Sequence, residues 1–464
     1  MAYTTIDKPS DYFNTLLYTG NGSNPRTLTG VGFQPDWVWL KNRTDANGHT
    51  LADAVRGANI TLSSDGSGAE VTDKSDGHLD AFTSDGFTVG AGTDDARVNN
   101  TSSNYVAWNW LAGGTAPSQT YTVKVVSDSG NKYRFDDFGT SAVTLDLQEG
   151  GTYTFDQSDS SNSGHPLRFS TTSDGTHGGG SEYTTNVTTT GTPGSAGAKT
   201  VITVASSAPT LYYYCSVHSG MGGQANTNTT HGSSNFSGSI QANVSANTTA
   251  GFSAVSYTGT GSNATIGHSL GTTPSMIIFK NRDSITDWRV YHKTLGATKG
   301  IRLSSNGAEQ TSSTYFNNTE PTSSLFTVST AVDTNENTSN FIAYCFAEKK
   351  GYSKFGSYTG NSSADGTFVY TGFKPAWVVI KRTDTTANWH MLDNKRDPIN
   401  EADATLLAND AGAEFQSTND VDFLSNGFKL RANQTSTNVG TYIYMAFAEN
   451  PFVTAGTKAA GTAR

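Results

Sequence analysis

Residues 18–43 read YTGNGSNPRTLTGVGFQPDWVWLKNR, and the chain returns to this frame at 257–282 (YTGTGSNATIGHSLGTTPSMIIFKNR) and at 358–383 (YTGNSSADGTFVYTGFKPAWVVIKRT). Counted from Tyr18, Tyr257 and Tyr358, a proline stands 17 residues on (Pro35, Pro274, Pro375) and a lysine 23 residues on (Lys41, Lys280, Lys381). Agreement without a gap marks an internal repeat. Each copy continues through a polar and aromatic stretch (HTLADAVRG, DWRVYHKTLG, NWHMLDNKR) and closes on an aromatic segment (NYVAWNWLAGG, NFIAYCFAEKKG, TYIYMAFAENPF). At about 100 residues, the repeat is the size of a domain rather than of a solenoid turn.

Within a repeat, DWVWLKNR and AWVVIKRT are short apolar, β-branched and aromatic runs entered through a proline, the pattern of strands. Breaks such as SDGF and SNGF separate further runs. No stretch carries helical periodicity, and TLADAVRG makes one turn at most. The expected fold is all-β, with tandem antiparallel β-sandwiches over 1–116, 250–350 and 351–464 forming a stiff array of separate domains. Trp37, Trp39, Trp108, Trp110 and Trp377 are expected in the cores. Lys41, Lys280 and Lys381 are expected to solvate strand ends and blunt an edge, and Cys345 is read as a packed thiol.

Composition narrows the function. Charged residues are 15% of the 464, the formal net charge is −10 and the isoelectric point is about 5.3, with Lys and Arg scattered. A phosphate-binding surface needs the opposite, so nucleic acid is excluded as an expected partner. The opening MAYTTIDKPSDYFNTLL has neither the basic start nor the apolar core of a signal peptide, and no apolar run reaches the ~18 residues that cross a bilayer. No secretory route and no membrane insertion are expected. Two cysteines, Cys215 and Cys345, cannot build a disulfide framework. G-x-S-x-G, H-E-x-x-H and a phosphate loop are missing, and no spacing singles out a carboxylate pair. No enzyme activity is expected.

Residues 117–228 break the repeat. Its segments are YTVKVV, AVTLDLQEGGTYTFDQSD, SGHPLRFS and AKTVITVASSAPTLYYYCSVHSGMGG, and VTLDLQ and TYTF among them alternate with a period of two, the mark of half-buried strands in another sandwich. The Asn/Ser/Thr-rich 229–249 that follows reads as a polar linker. Cys215, His218 and Met221 stand in C-x2-H-x2-M spacing on one loop, and His165 ends an earlier turn. A soft thiolate, two imidazoles and a thioether are the donor types of a blue-copper centre. His177, in DGTHGGGSEY, is expected to be solvent-exposed rather than a ligand.

On these residues, NSGHPLRF and YYYCSVHSGMGG, the segment 121–224 resembles a cupredoxin, the plastocyanin-like Greek-key sandwich. That resemblance implies copper held by His165, Cys215, His218 and Met221. The two residues between His218 and Met221 are fewer than in plastocyanin-like sites and match the related copper domain of cytochrome oxidase. The alternative is a scaffold that keeps the ligand types without the ion.

The repeats, above all 358–452, resemble a domain of unknown function found in tailed-bacteriophage virion proteins, including tail-fibre-like ones. The resemblance implies a structural component of a phage virion, an exposed fibre, adhesin or capsid decoration that serves particle assembly or host attachment. Its implied partners are other virion proteins, a host-surface glycan or receptor, and further copies of itself, a trimer being favoured. Its implied location is the particle, after synthesis in the host cytoplasm. Two other classes stay open: a copper redox or electron-transfer protein, and a glycan-degrading virion enzyme.

Overall fold

The computed structural model describes residues 3–90 and 92–454, with the side chains of Asn419 and Asp420 left aside. The last ten residues assigned to the third repeat, 455–464, therefore lie outside the described residues. The fold is all-β, and the chain divides into two units: 1–112, 246–263 and 268–464 form one, and 113–245 with 264–267 form the other.

The first unit holds the main sheets of all three repeats, and each is built in one order. In the first repeat the strands run Phe13–Thr19, Asn104–Trp110, Trp37–Asn42, Thr50–Asp53, Gly57–Leu62 and Val71–Thr72 from edge to edge. In the second the same order is Phe252–Thr258, Asn340–Phe346, Met276–Asn281, Arg289–His292, Lys299–Arg302 and Gln310–Thr311. The third follows with Ser353–Asn361, Val439–Pro451, Phe373–Arg382, Trp389–Asp393, Ala402–Leu407 and Phe415–Leu424. The pairing is antiparallel and the register repeats: Trp37 faces Trp110, Met276 faces Phe346, and Trp377 faces Phe447. TLADAVRG is a strand, Thr50–Asp53, and a turn. Pro375 lies inside its strand, where the register slips on either side of it, a place that tolerates a residue without an N–H.

The central strands of these sheets are buried on both faces, which is why their sequences are continuous apolar runs instead of alternating ones. One face of all three looks into a single core. Trp37, Trp39, Trp108 and Trp110 of the first repeat share it with Phe252, Met276, Trp288, Tyr344 and Phe346 of the second and Trp377, Trp389, Met445 and Phe447 of the third. Neighbours in sequence face the other way: Val38, Leu40 and Ala107 join Leu28, Phe87 and Val89, while Val378, Ile380 and Ala446 join Phe428 and Leu430. The tryptophans are core residues as expected. The stiff array of separate domains is not what forms, because no repeat buries its inner face alone.

Equivalent polar residues lock the repeats in a closed cycle. Lys41 donates to Ala411 O (3.1 Å), Lys280 to Ser67 O (3.0 Å) and Lys381 to Asn306 O (3.1 Å), so the second repeat grips the first, the first the third, and the third the second. Trp288 Nε1 donates to Ser63 O (2.9 Å) and Trp389 Nε1 to Arg302 O (2.8 Å), while His49 Nε2 stands 3.0 Å from Leu407 O. Since His49 Nδ1 accepts from Trp39 Nε1, its Nε2 is the protonated nitrogen and donates to Leu407. The lysines are thus fully buried structural donors, correcting the expectation of solvated strand ends. Their partners are main-chain carbonyls of another repeat, which nothing in the local sequence indicates.

The YTG signature has a local cause. The hydroxyls of Tyr18, Tyr257 and Tyr358 donate to the carbonyls of Val98, Thr334 and Thr437. The next residues, Asn99, Asn335 and Asn438, are buried and donate to Ser23 O, Ser262 O and Ser363 O in the loop after YTG. At Gly20, Gly259 and Gly360 a Cβ would fall 2.0–2.2 Å from the main chain that follows those asparagines or carries them, so only glycine fits.

The second unit is a sandwich of a five-stranded sheet (Asn131–Phe135, Ser118–Ser127, Thr152–Asp156, Lys199–Thr203, Val187–Thr190) and a four-stranded one (Leu145–Gln148, Gly223–Asn228, Leu211–Cys215, Leu167–Ser170). Two of its pairs are parallel, Ser118–Ser127 with Thr152–Asp156 and Leu145–Gln148 with Gly223–Asn228. Tyr121, Phe135, Tyr153, Phe155, Phe169 and Tyr213 fill its core. Phe236 belongs to that core too, so the stretch read as a linker contributes packing.

Candidate metal centre

The strand Leu211–Cys215 turns Leu211, Tyr213 and Cys215 into the second unit's core and ends at the thiol. Cys215 pairs with Leu167, the first residue of the neighbouring strand, so His165, two residues earlier, stands beside it. The ligand loop then leaves the strand through Ser216, whose N–H donates to Pro166 O (3.1 Å), and returns at Met221, whose carbonyl accepts from Tyr133 N (3.0 Å). Gly222 passes so close to Tyr213 O that a Cβ would sit 1.7 Å from it, and glycine alone closes the loop.

Both imidazoles present Nδ1 to the sulfur. His165 Nδ1 and His218 Nδ1 each lie 3.8 Å from Cys215 Sγ, and their ring centroids are 4.6 Å apart. A ligand atom from each of the three residues falls within 4.8 Å of the others. This separation suits an ion between them: donors bound at about 2.0 and 2.3 Å and about 120° apart stand about 3.8 Å from one another. Cys215 is buried, His165 half-buried and His218 exposed. Burial, and then the neighbouring His218, hold the His165 imidazole below its ordinary pKa, which keeps the neutral, metal-binding form. The Tyr133 hydroxyl is pushed well above its usual range by burial and by the adjacent Cys215 thiol.

A second layer fixes His165. Its N–H donates to Asn162 O (2.8 Å), and its carbonyl accepts from Tyr133 Oη (2.9 Å) and Gln157 Nε2 (2.8 Å). Gln157 Oε1 accepts from Leu167 N (3.1 Å), so one amide ties the histidine to the strand that follows it. Met221 is 1% exposed and shares the core with Cys215. It also lines an open cleft with Asn131, His177, Val217, His218 and Ser219. Of the four residues expected as ligands, the structure brings His165, Cys215 and His218 together and sets Met221 on the cleft that His218 lines. Sequence reading set aside His177, which is exposed as expected but whose Nε2 lies 3.1 Å from Cys215 O.

A family model described as a domain of unknown function (DUF7483) matches residues 8–134 and 224–451. The intervening 135–223, which carries all four candidate ligands, falls outside the match. No curated protein and no solved structure matches the chain.

Proposed function

The chain belongs to the DUF7483 family, and we propose that it is a structural, non-catalytic component of a tailed-phage particle whose inserted unit binds copper. The observation that carries the structural reading is the use made of the recurring polar residues. In each repeat the tyrosine and buried asparagine are spent on main-chain carbonyls of their own repeat, and the lysine on a carbonyl of another, which closes one three-repeat body. Such a body behaves as a frame. Its surfaces serve assembly with other virion proteins, further copies of the chain or a host-surface glycan. Detection of the chain in purified particles by mass spectrometry tests this; its absence from particles that carry the other virion proteins overturns it. Release of reducing ends from host envelope polysaccharide would favour the enzyme class instead.

For the inserted unit, the fit of His165, Cys215 and His218 around one point favours copper over a vestigial scaffold. Bound to a thiolate and two imidazoles, copper adds binding energy to the folded state and has a one-electron couple. The residues of the chain supply the rest: Tyr133 and Gln157 orient His165, and the core keeps water from Cys215. The exposed edge of His218 is the feature that favours the rival reading as an electron-transfer protein. Copper addition should give an intense thiolate-to-copper absorption that Cys215→Ala abolishes; its absence in the wild type overturns the assignment.

A further inference from the structure

Besides Pro166, Tyr133 and Lys132, which bond its main chain, the ligand loop from Cys215 to Met221 is held at two points by one turn that contributes no ligand. After the strand Leu167–Ser170 the chain folds through Ser173-Asp174-Gly175-Thr176-His177-Gly178, with Asp174 at φ 58°. Asp174 Oδ1 accepts from Gly220 N at 2.8 Å, and His177 Nε2 stands 3.1 Å from Cys215 O. The turn therefore bonds the loop at its first residue and again just before Met221. Its own shape is fixed: His177 N donates to Asp174 O (3.1 Å) and Gly180 N to Gly175 O (2.9 Å). Gly175 lies flat on the Tyr214 ring, where a Cβ would meet ring carbons at 2.4 Å.

We infer that Asp174 and His177 are positioning residues for the metal, a clamp that holds the Cys215–Met221 loop in its binding shape before an ion arrives. This rests on the copper reading of the inserted unit. The physical reason is entropy: a loop that must order on binding gives up part of the binding energy, and one already held does not. The His177 bond also fixes the peptide plane at Cys215, and so the direction in which the thiol points. The two residues act through separate atoms on separate ends of the loop, so each alone should matter.

The test uses the full chain. Copper is titrated into wild type, D174A, H177A and the conservative D174N and H177Q, which keep an acceptor oxygen and a donor nitrogen at the same reach. Affinity, the position of the thiolate absorption and the unfolding temperature without copper are recorded. The clamp predicts a loss of about 10- to 100-fold in affinity for D174A and H177A, a shifted absorption, a copper-free unfolding temperature close to wild type, and recovery in D174N and H177Q. Wild-type affinity and spectrum in both alanine variants overturn the clamp alone. A wild type with no thiolate absorption overturns the copper reading and the clamp with it.

Discussion

The ammonium group of Lys280, in the second repeat, donates to the main-chain carbonyl of Ser67, in the first, across 3.0 Å of fully buried protein. Within its own repeat it also reaches Thr286 O at 2.8 Å. The same cation recurs at Lys41 and Lys381, each with a carbonyl of a different repeat. A carbonyl left buried without a donor costs about 1–3 kcal/mol, whereas a change at a solvated strand end stays within about 0.5 kcal/mol. Lys280→Met should therefore destabilise the three-repeat unit by about 1–3 kcal/mol in denaturant unfolding, and a change below 0.5 kcal/mol would return the lysine to a surface role.

Burial also pushes these lysines down to about 8. Between that value and the ordinary 10.5 the unfolded chain binds protons that the folded chain does not, so stability is greatest above this window and is lost as pH falls through it. Unfolding free energy should rise from pH 8 toward pH 10, before tyrosine ionisation intervenes. The rise should shrink in the Lys280→Met variant.

Acid brings a second window. His49, His292 and His390 are buried and held neutral, pushed down to about 4 by burial. From 6.5 downward the unfolded chain takes up protons that these imidazoles refuse, so the stability present above pH 6.5 is lost as pH falls toward 4. Each contributes up to roughly 3 kcal/mol at about 1.36 kcal/mol per unit. Calorimetry from pH 7 to 4 should show the three-repeat unit losing stability steeply, and His390→Gln should flatten the slope by about one proton.

The all-β fold, the repeats and the buried tryptophans were legible because strand runs and spacing are local properties of sequence. The nearness of Cys215 and His218 was legible too, since they stand three residues apart on one loop, while His165 reaches them only through the pairing of Leu167 with Cys215. The shared core was not. Trp37 packs at 4.3 Å on Tyr344, more than 300 residues later, and no pattern near Trp37 differs from that of a separate sandwich. The lysines were misread for the same reason. His177 is exposed as expected, and its approach to Cys215 O left no mark in the sequence, because a main-chain carbonyl carries no residue identity.

Asp393 and Arg396 form an ion pair with no exposure on either side chain, joined by Glu414, and Asp53 and Arg56 repeat it. At the equivalent positions the second repeat carries His292 and the apolar Leu295, packed against the shared core. The fold thus accepts either a complete pair or none. Asp393→Ala leaves a buried guanidinium short of a partner and should cost about 3–5 kcal/mol. The double variant D393H/R396L should recover at least half of that loss, as read from denaturant midpoints; a double variant as damaged as the single would show that the pair itself is required.

Met221 is the ligand whose spacing is least usual, and its surroundings decide what its loss should do. Its carbonyl is held by Tyr133 N and the following Gly222 is pinned under Tyr213 O, so the backbone there is set without a metal. An axial thioether binds weakly, while the thiolate and imidazoles carry most of the affinity. Met221→Leu should keep the core packed, retain copper with less than about a tenfold loss, and move the absorption, since leucine fills similar volume without a donor. His218→Ala should lose far more affinity. Copper at about 100 times its dissociation constant adds about 2.7 kcal/mol to the inserted unit of the wild type. That gain should survive largely in Met221→Leu and vanish in Cys215→Ala, while the transition of the three-repeat unit stays where it was, because every candidate ligand lies in 113–245. An unmoved absorption in Met221→Leu would remove the thioether from the ligand set and leave a three-ligand site.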